Sequence, residues 1–167
     1  GFTVFDPTTL STVTKFLPQT RNKYDVVELP NGKILLYGDD VFNTVTDAML
    51  IDSVNFNPLP IGQLNFFHRY SSATLLPNGK LLLAGVAGCE IFDPVTNTAT
   101  IASPMSQVRL NHAAILLPNG NVMMIGGNST LNGSGNTTTT EIYDPVADSW
   151  TAGPTMNIAR GAAQATL

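Results

Sequence analysis

Charge is scarce in this 167-residue sequence. Lys, Arg, Asp and Glu together make up 12%, against roughly 25% in an ordinary globular chain. The few cations are scattered and the net charge is −4. Nucleic acid and anionic membrane surfaces both require a basic footprint, so neither is an expected partner. Cysteine is nearly absent as well. Cys89 stands alone, which excludes an internal disulfide and leaves the redox compartment open. No apolar run approaches the ~20 residues of a membrane-spanning helix. The chain opens on Gly1-Phe2-Thr3, without an initiator Met or a basic leader, as expected of a processed or excised polypeptide. Phosphate-binding glycine loops, nucleotide fingerprints, zinc-type spacings and a local Ser-His-Asp signature are also missing.

What remains is a chain that is 43% hydrophobic with a mean hydropathy of +0.12, enough to fold around a core. Its polar surface must be supplied by Thr, Asn and Ser, a composition more usual in secreted and cell-surface β-proteins. The expected location is therefore outside the cell.

The same four letters occur three times, at Leu29-Pro30-Asn31-Gly32, Leu76-Pro77-Asn78-Gly79 and Leu117-Pro118-Asn119-Gly120. Pro suits the first central position of a tight turn, Asn the second, and Gly supplies the positive φ of a hairpin with a one-residue bulge. Around these turns a longer repeat is visible. A basic or imidazole residue opens each copy, at Arg21, His68, Arg109 and Arg160, with spacings of 47, 41 and 51 residues. An aromatic-Asx-Pro triplet is expected to close each third strand, at Phe5-Asp6-Pro7, Phe56-Asn57-Pro58, Phe92-Asp93-Pro94 and Tyr143-Asp144-Pro145. A period of this length belongs to solenoids and propellers, and strand content selects the propeller.

The last full copy carries the pattern most completely. His112 to Leu117 is a first strand and Asn121 to Gly127 an apolar second strand covered on both faces. Glu141-Ile142-Tyr143 is a short third strand ended by Asp144-Pro145. A fourth is centred on Ser149-Trp150-Thr151. In the first copy the second strand is Lys33 to Gly38 and the third is either Ala48 to Asp52 or Val54 to Phe56. In the middle copy they are Lys80 to Gly85 and Cys89 to Phe92. The positions aligned with Trp150 are Gln63 and Ala99.

With Arg109-x-x-His112, Gly126-Gly127, Tyr143-Asp144-Pro145, Trp150 and Pro154-x-Met156 in this order, the last copy resembles a kelch repeat. The Leu-Pro-Asn-Gly hairpins are similar to those of bacterial kelch and galactose-oxidase-like propellers. The resemblance implies an all-β propeller of four-stranded blades. Residues 1–20 would be the last two strands of one blade, 21–67, 68–108 and 109–159 three complete blades, and 160–167 the first strand of another. Three blades are fewer than the four to eight that close a ring. The expectation is a segment completed by the rest of a longer polypeptide, or by another chain that pairs with its open edges.

Galactose-oxidase-like members of the fold bind copper through two Tyr and two His, one Tyr being cross-linked to Cys. This sequence has His68, His112, Cys89 and four Tyr, but no adjacent Tyr-His pair, and Tyr143 occupies the structural aromatic position. No metal, no cofactor and no catalytic residue is therefore expected. The copper oxidase remains the alternative, with a subunit that polymerises by sharing strands as a third reading. Arg21, His68, Arg109, His112 and Arg160 are expected at one end of the inner strands, as a polar ring that either satisfies carbonyls between blades or contacts a ligand. Asp6, Asp93 and Asp144 recur with the repeat and read as turn residues. Asp39, Asp40, Asp47 and Asp52 lack a calcium-loop spacing and read as a solvated loop. The loop from Asn128 to Thr140 holds three glycosylation sequons, at Asn128, Asn132 and Asn136. The leading expectation is a non-enzymatic extracellular binding or scaffold module, with a protein partner at its edges and a glycan as a candidate ligand.

Overall fold

The computed structural model describes residues 2–6, 8–15, 23–39, 47–52, 54–130 and 134–167. Every regular element among them is a strand, and all pairing is antiparallel. β1 (Phe2–Asp6) and β2 (Ser11–Lys15) form a two-stranded sheet. A first four-stranded sheet contains β3 (Lys23–Glu28), β4 (Ile34–Asp39), β5 (Asp47–Ile51) and β6 (Pro58–Gln63), in that order. A second contains β7 (Ser72–Leu75), β8 (Leu81–Ala84), β9 (Cys89–Asp93) and β10 (Thr98–Ala102). A third contains β11 (Ala113–Leu116), β12 (Val122–Ile125), β13 (Thr140–Asp144) and β14 (Ser149–Ala152). Each sheet is a meander of hairpins, the form of a propeller blade, and the described sheets do not close into a ring.

The hairpin at each Leu-Pro-Asn-Gly is built as its letters require. In the middle copy the Gly79 N–H donates to Leu76 O at 2.9 Å and the Leu76 N–H to Lys80 O at 2.8 Å. The Asn78 side chain accepts from the Lys80 N–H at 3.0 Å, and Gly79 sits at φ +80°. The other two copies repeat these bonds around Gly32 and Gly120.

Period-two alternation then decides which sheet each side chain meets. From β8, Leu81 and Leu83 enter one core with Leu29, Leu35, Tyr37 and Leu50 of the first sheet. Leu82 and Ala84 enter another with Val122, Met124 and Tyr143 of the third. All four β8 side chains are fully buried, which explains an apolar run with no polar alternation. Strands β7 and β11 lie beside one another, so the first strands of the second and third sheets are on the inner side.

The second turn corrects one sequence expectation. In the second and third sheets, Asp93 and Asp144 each accept two backbone N–H bonds, from Val95 and Thr96 and from Val146 and Ala147. The equivalent carboxylate in the first sheet is Asp52, which accepts from Val54 and Asn55 at 2.8 and 3.1 Å. The third strand is therefore β5, the first of the two alternatives. Phe56-Asn57-Pro58 does not close it. Phe56 is the left-handed turn residue, at φ +54°, equivalent to Leu10, Asn97 and Asp148. The register agrees, because Ile34 pairs Ile51 as Leu81 pairs Phe92 and Val122 pairs Tyr143. It follows that Pro58, and not Gln63, stands opposite Ile51 where Trp150 stands opposite Tyr143. Ala99 is aligned as expected, opposite Phe92.

Residues 160–167 contain no strand. They are tied to the third sheet by Gly127 N–H to Arg160 O at 2.8 Å and Ala162 N–H to Asn111 O at 2.8 Å.

Candidate functional site at the mouth of the inner strands

Two equivalent clamps hold the chain where it enters the second and third sheets. In the third sheet Glu141 lies on β13, two residues before Tyr143, and its side chain receives two groups from the incoming connector. Ser106 N–H donates to Oε2 at 2.7 Å and Arg109 Nε to Oε1 at 3.0 Å. Arg109 is fully buried, and its remaining donors reach Gly126 O, Thr139 O and Thr139 Oγ1 at 2.8–2.9 Å. In the second sheet Glu90 takes the same place on β9. Asn65 donates its N–H and Nδ2 to Oε2 at 2.9 and 2.8 Å, and His68 Nε2 bonds Oε1. Burial alone would raise both carboxyls. The hydrogen bonds from His68 and Asn65, and from Ser106 and Arg109, outweigh it and hold each below the usual carboxylate range.

Two residues beyond His68, Arg109 and Arg160 the backbone turns left-handed, at Tyr70, Asn111 and Ala162, with φ of +54°, +51° and +52°. These three form a ladder of their own. Asn111 N–H donates to Tyr70 O at 3.1 Å and Ala162 N–H to Asn111 O at 2.8 Å. The connector into the third sheet thus hangs Asn111 on Tyr70 of the connector into the second, and Ala162 of the segment after the third sheet hangs on Asn111.

That end carries a cleft of about 200 Å3, lined by Tyr24, Asp25, His68, Tyr70, Ser71 and Asn111. Its walls come from all three four-stranded sheets or the connectors that lead into them. Tyr24 is half exposed. The Arg69 guanidinium lies 4.9 Å from the centre of the Tyr70 ring, and Asn111 Nδ2 donates to Asn128 Oδ1 at 3.1 Å. Tyr37, whose hydroxyl bonds Asp25, is pushed strongly up by burial and by that carboxylate. Among the described residues the lining includes no Lys or Arg and one carboxylate, Asp25.

The expected polar ring is only partly assembled. Arg21 lies outside the described residues. His68, Arg109 and His112 are buried and engaged within the walls, and the carbonyls that Arg109 meets, those of Gly126 and Thr139, belong to its own sheet and the loop within it rather than to a neighbouring sheet. His112 Nε2 bonds Ser72 Oγ at 2.8 Å, and burial pushes its imidazole down to about 4. Arg160 is exposed. Among the described residues no group of three or more His, Cys, Asp or Glu is gathered as a metal would require. Of the four loop acids, Asp40 is outside the described residues and Asp52 is committed to its turn. Cys89 is buried in the core between the second and third sheets, where burial pushes its thiol up to about 11.

The sequons differ in surroundings. Asn128 is 5% exposed, and its Nδ2, the atom a glycan would occupy, donates to Asn136 Oδ1 at 2.5 Å. Asn136 is exposed, and Asn132 lies outside the described residues. Trp150 has a packing role. Its ring centre is 4.9 Å from that of Tyr143, and its Nε1 donates to Ser103 O of the preceding connector at 2.7 Å.

The clamp carboxylates Glu90 and Glu141 escaped the sequence reading, although a signal existed. Both stand in Glu-Ile-aromatic-Asp-Pro, at the same two-residue offset from the aromatic.

No protein-family model matches the sequence, and no curated protein matches it. Among solved structures, the fold is similar to a fungal alcohol oxidase described as a novel member of the AA5 family with catalytic diversity, in complex with copper. The TM-score is 0.58 at 19% identity, over 75% of this chain and 29% of that one. The chain therefore spans less than a third of the oxidase's length, and at this identity the likeness shows the fold.

Proposed function

We propose that these sheets are kelch-type blades of a propeller that acts as an extracellular binding module, with the cleft at the mouth of the inner strands as its ligand site. The observation that carries the reading is the composition of that cleft. Among the described residues two phenols, an amide, a hydroxyl and one carboxylate line it, with the buried His68 behind them, and no Lys or Arg does. This set suits a small neutral molecule rich in hydroxyl groups, such as a sugar unit of a glycan. Apolar ring faces meet its carbon skeleton and scattered acceptors orient its hydroxyls. An anion would meet the carboxylate of Asp25 in that lining. Further blades, from the same polypeptide or a partner chain, would complete the mouth around the ladder that Tyr70, Asn111 and Ala162 begin. If the protein is secreted, Asn136 is the sequon open to modification and Asn128 the one closed.

The test is calorimetric titration with glucose, maltose and cellobiose, on the chain as it stands and with Tyr24→Ala and Asp25→Asn. Tyr24 is exposed enough that its truncation leaves the fold intact. Loss of one aromatic wall, worth about 1 kcal/mol, should weaken a saturating sugar roughly fivefold. Absence of saturable binding by every sugar, or binding indifferent to both substitutions, would sink the reading.

A second reading, part of a copper-dependent alcohol oxidase, is favoured by the likeness to the copper-bound fungal enzyme. The donors present do not fit that ion. The cleft has two phenols but one imidazole, whose Nε2 is taken by Glu90. His112 is bonded to Ser72, and Cys89 is in the core between sheets. Copper analysis of native material, with assay of peroxide released from alcohols, separates the two readings.

A further inference from the structure

The third sheet is followed by a connector of the same form as those that lead into the second and third. Leu64-Asn65-x-x-His68 and Met105-Ser106-x-x-Arg109 are matched by Met156-Asn157-x-x-Arg160. The backbone bends at residues 157–158 as it does at 65–66 and 106–107, and it turns left-handed at Ala162 as at Tyr70 and Asn111. The segment lies close against the third sheet, where a Cβ on Gly126 would meet Arg160 O at 2.5 Å. The side chains differ in what they meet. His68 and Arg109 are buried and bonded to Glu90 and Glu141. Arg160 is exposed, and among the described residues its bonds are those of its backbone, to Thr137 O and from Gly127 N–H. The Asn157 N–H stands where the Asn65 and Ser106 N–H groups bond a carboxylate oxygen, and no described residue accepts from it.

The sheet beside this connector presents an apolar face that continues the same pattern. Register makes Leu35, Leu82 and Met123 equivalent, and two residues further on Tyr37, Ala84 and Ile125. The first two members of each set are buried against the following sheet. Met123 and Ile125 are only partly buried, and the described residues include no fourth sheet of four strands. A second copy of this chain does not bring the acid that Arg160 would need. The position equivalent to Glu141 is Thr3 in β1 and Met49 in β5, while Glu90 and Glu141 are already bonded within their own sheets. Docked on either of those strands, Arg160 would meet no carboxylate at the clamp position, and burying a cation unpaired is costly.

We propose that the open face of the third sheet is a docking surface for a fourth sheet of the same repeat, which has residues 163–167 as its first strand and brings to Arg160 a Glu placed two residues before the aromatic of its third strand. Arg160 Nε donates to one oxygen of that Glu, as Arg109 does to Glu141. Asn157 donates its N–H and Nδ2 to the other, as Asn65 does to Glu90. The pair is charge-assisted and directional, so it selects a sheet with an acid at that position over one with an apolar residue there. Residues 163–167 become a strand only when the rest of that sheet gives them a partner. The proposal rests on the repetition of the sheets and is independent of whether the cleft binds a sugar.

The probe is the chain's own third sheet. Residues 160–167 align with 109–116, so a second copy of residues 117–159 added after Leu167 of the full chain builds a fourth sheet in phase, with the copied Glu141 set for Arg160. The added stretch contains no Arg, so the Arg Nε–H signals in heteronuclear NMR all belong to the original chain. The Arg160 Nε–H should exchange with solvent at least about tenfold more slowly in the extended chain than in the original. Glu141→Gln in the added copy alone keeps the shape and removes the charge, and should restore most of that exchange. An added sheet that leaves Arg160 exchanging as before, that is indifferent to Glu141→Gln, or that stays unfolded would overturn the proposal. Light scattering on the original chain is the second measurement. A monomer is expected, and a stable dimer dispersed by Met123→Asp would put a second copy on this face and overturn the proposal as well.

Discussion

Arg109→Lys isolates what the buried clamp contributes, because it keeps the charge and discards the geometry. Arg109 donates from three nitrogens to four acceptors, namely Glu141 Oε1, Gly126 O, Thr139 O and Thr139 Oγ1. A Lys ammonium reaching the carboxylate cannot also span both carbonyls, so buried acceptors are left without donors. Each such group costs about 1–3 kcal/mol, and a loss of about 2–4 kcal/mol is expected for the substitution. Arg109→Met should cost more, about 3–5 kcal/mol, because it strands a buried carboxylate. Pairing it with Glu141→Leu should recover much of that loss, since neither charge then needs solvation. Urea unfolding followed by the far-ultraviolet signal reads these values as shifts in midpoint at constant slope. If Arg109→Lys unfolds within about 0.5 kcal/mol of the wild type, the clamp does not hold the third sheet's connector and the reasoning fails.

Two further outcomes follow from the same structure. Gly127 stands at φ +101°, and a Cβ there would meet Leu110 O at 2.9 Å; at Gly120, with φ +88°, the nearest atom would be Pro77 Cγ at 3.4 Å. Both alanine variants carry backbone strain of about 1–3 kcal/mol, but only Gly127→Ala adds a collision with backbone, so its melting temperature should fall further; the reverse order would refute the packing argument. His112 is held neutral by burial, its value falling from 6.5 to about 4. Because the folded value lies below the unfolded one, the unfolded chain binds the proton first. Stability should then drop as pH falls from about 6.5 and stop falling below about 4, by up to about 3 kcal/mol for this group. The difference between the wild type and His112→Gln across that range isolates the contribution, and parallel curves would show that His112 is not responsible.

How much of this was legible depended on how local each constraint is. The Leu-Pro-Asn-Gly hairpins could be read because their bonds are made within five residues, from Leu29 to Lys33 and its two counterparts. The Asp-Pro turns could be read for the same reason, until the first sheet offered two candidates. Phe56-Asn57-Pro58 matches the triplet in letters, yet it starts the fourth strand. The choice is made by the ladder between β4 and β5 and by Asp52, whose Pro has been replaced by Ser53. A pattern of side chains was mistaken for a position that the backbone register assigns.

The mouth of the inner strands was harder to see, and the obstacle is physical. His68 meets Glu90 across 22 residues and Arg109 meets Glu141 across 32, because the loop before the third strand varies while the sheet does not. The Glu-Ile-aromatic-Asp-Pro motif aligns the two carboxylates, and the sheet register brings each to its partner. The ladder through Tyr70, Asn111 and Ala162 was less visible still. Three unrelated side chains share a φ, and Asn111 and Ala162 each a backbone bond to the member before, so nothing in their letters marks them. That independence is what such a site requires: backbone fixes where each blade presents a residue to the mouth, and the residue is then free to be a phenol, an amide or a methyl group. Chemistry at the mouth can change from blade to blade without altering how the blades are joined. Under the proposed binding role, the varied lining of the cleft beside clamps that repeat would let a few positions set the ligand while the frame stays constant.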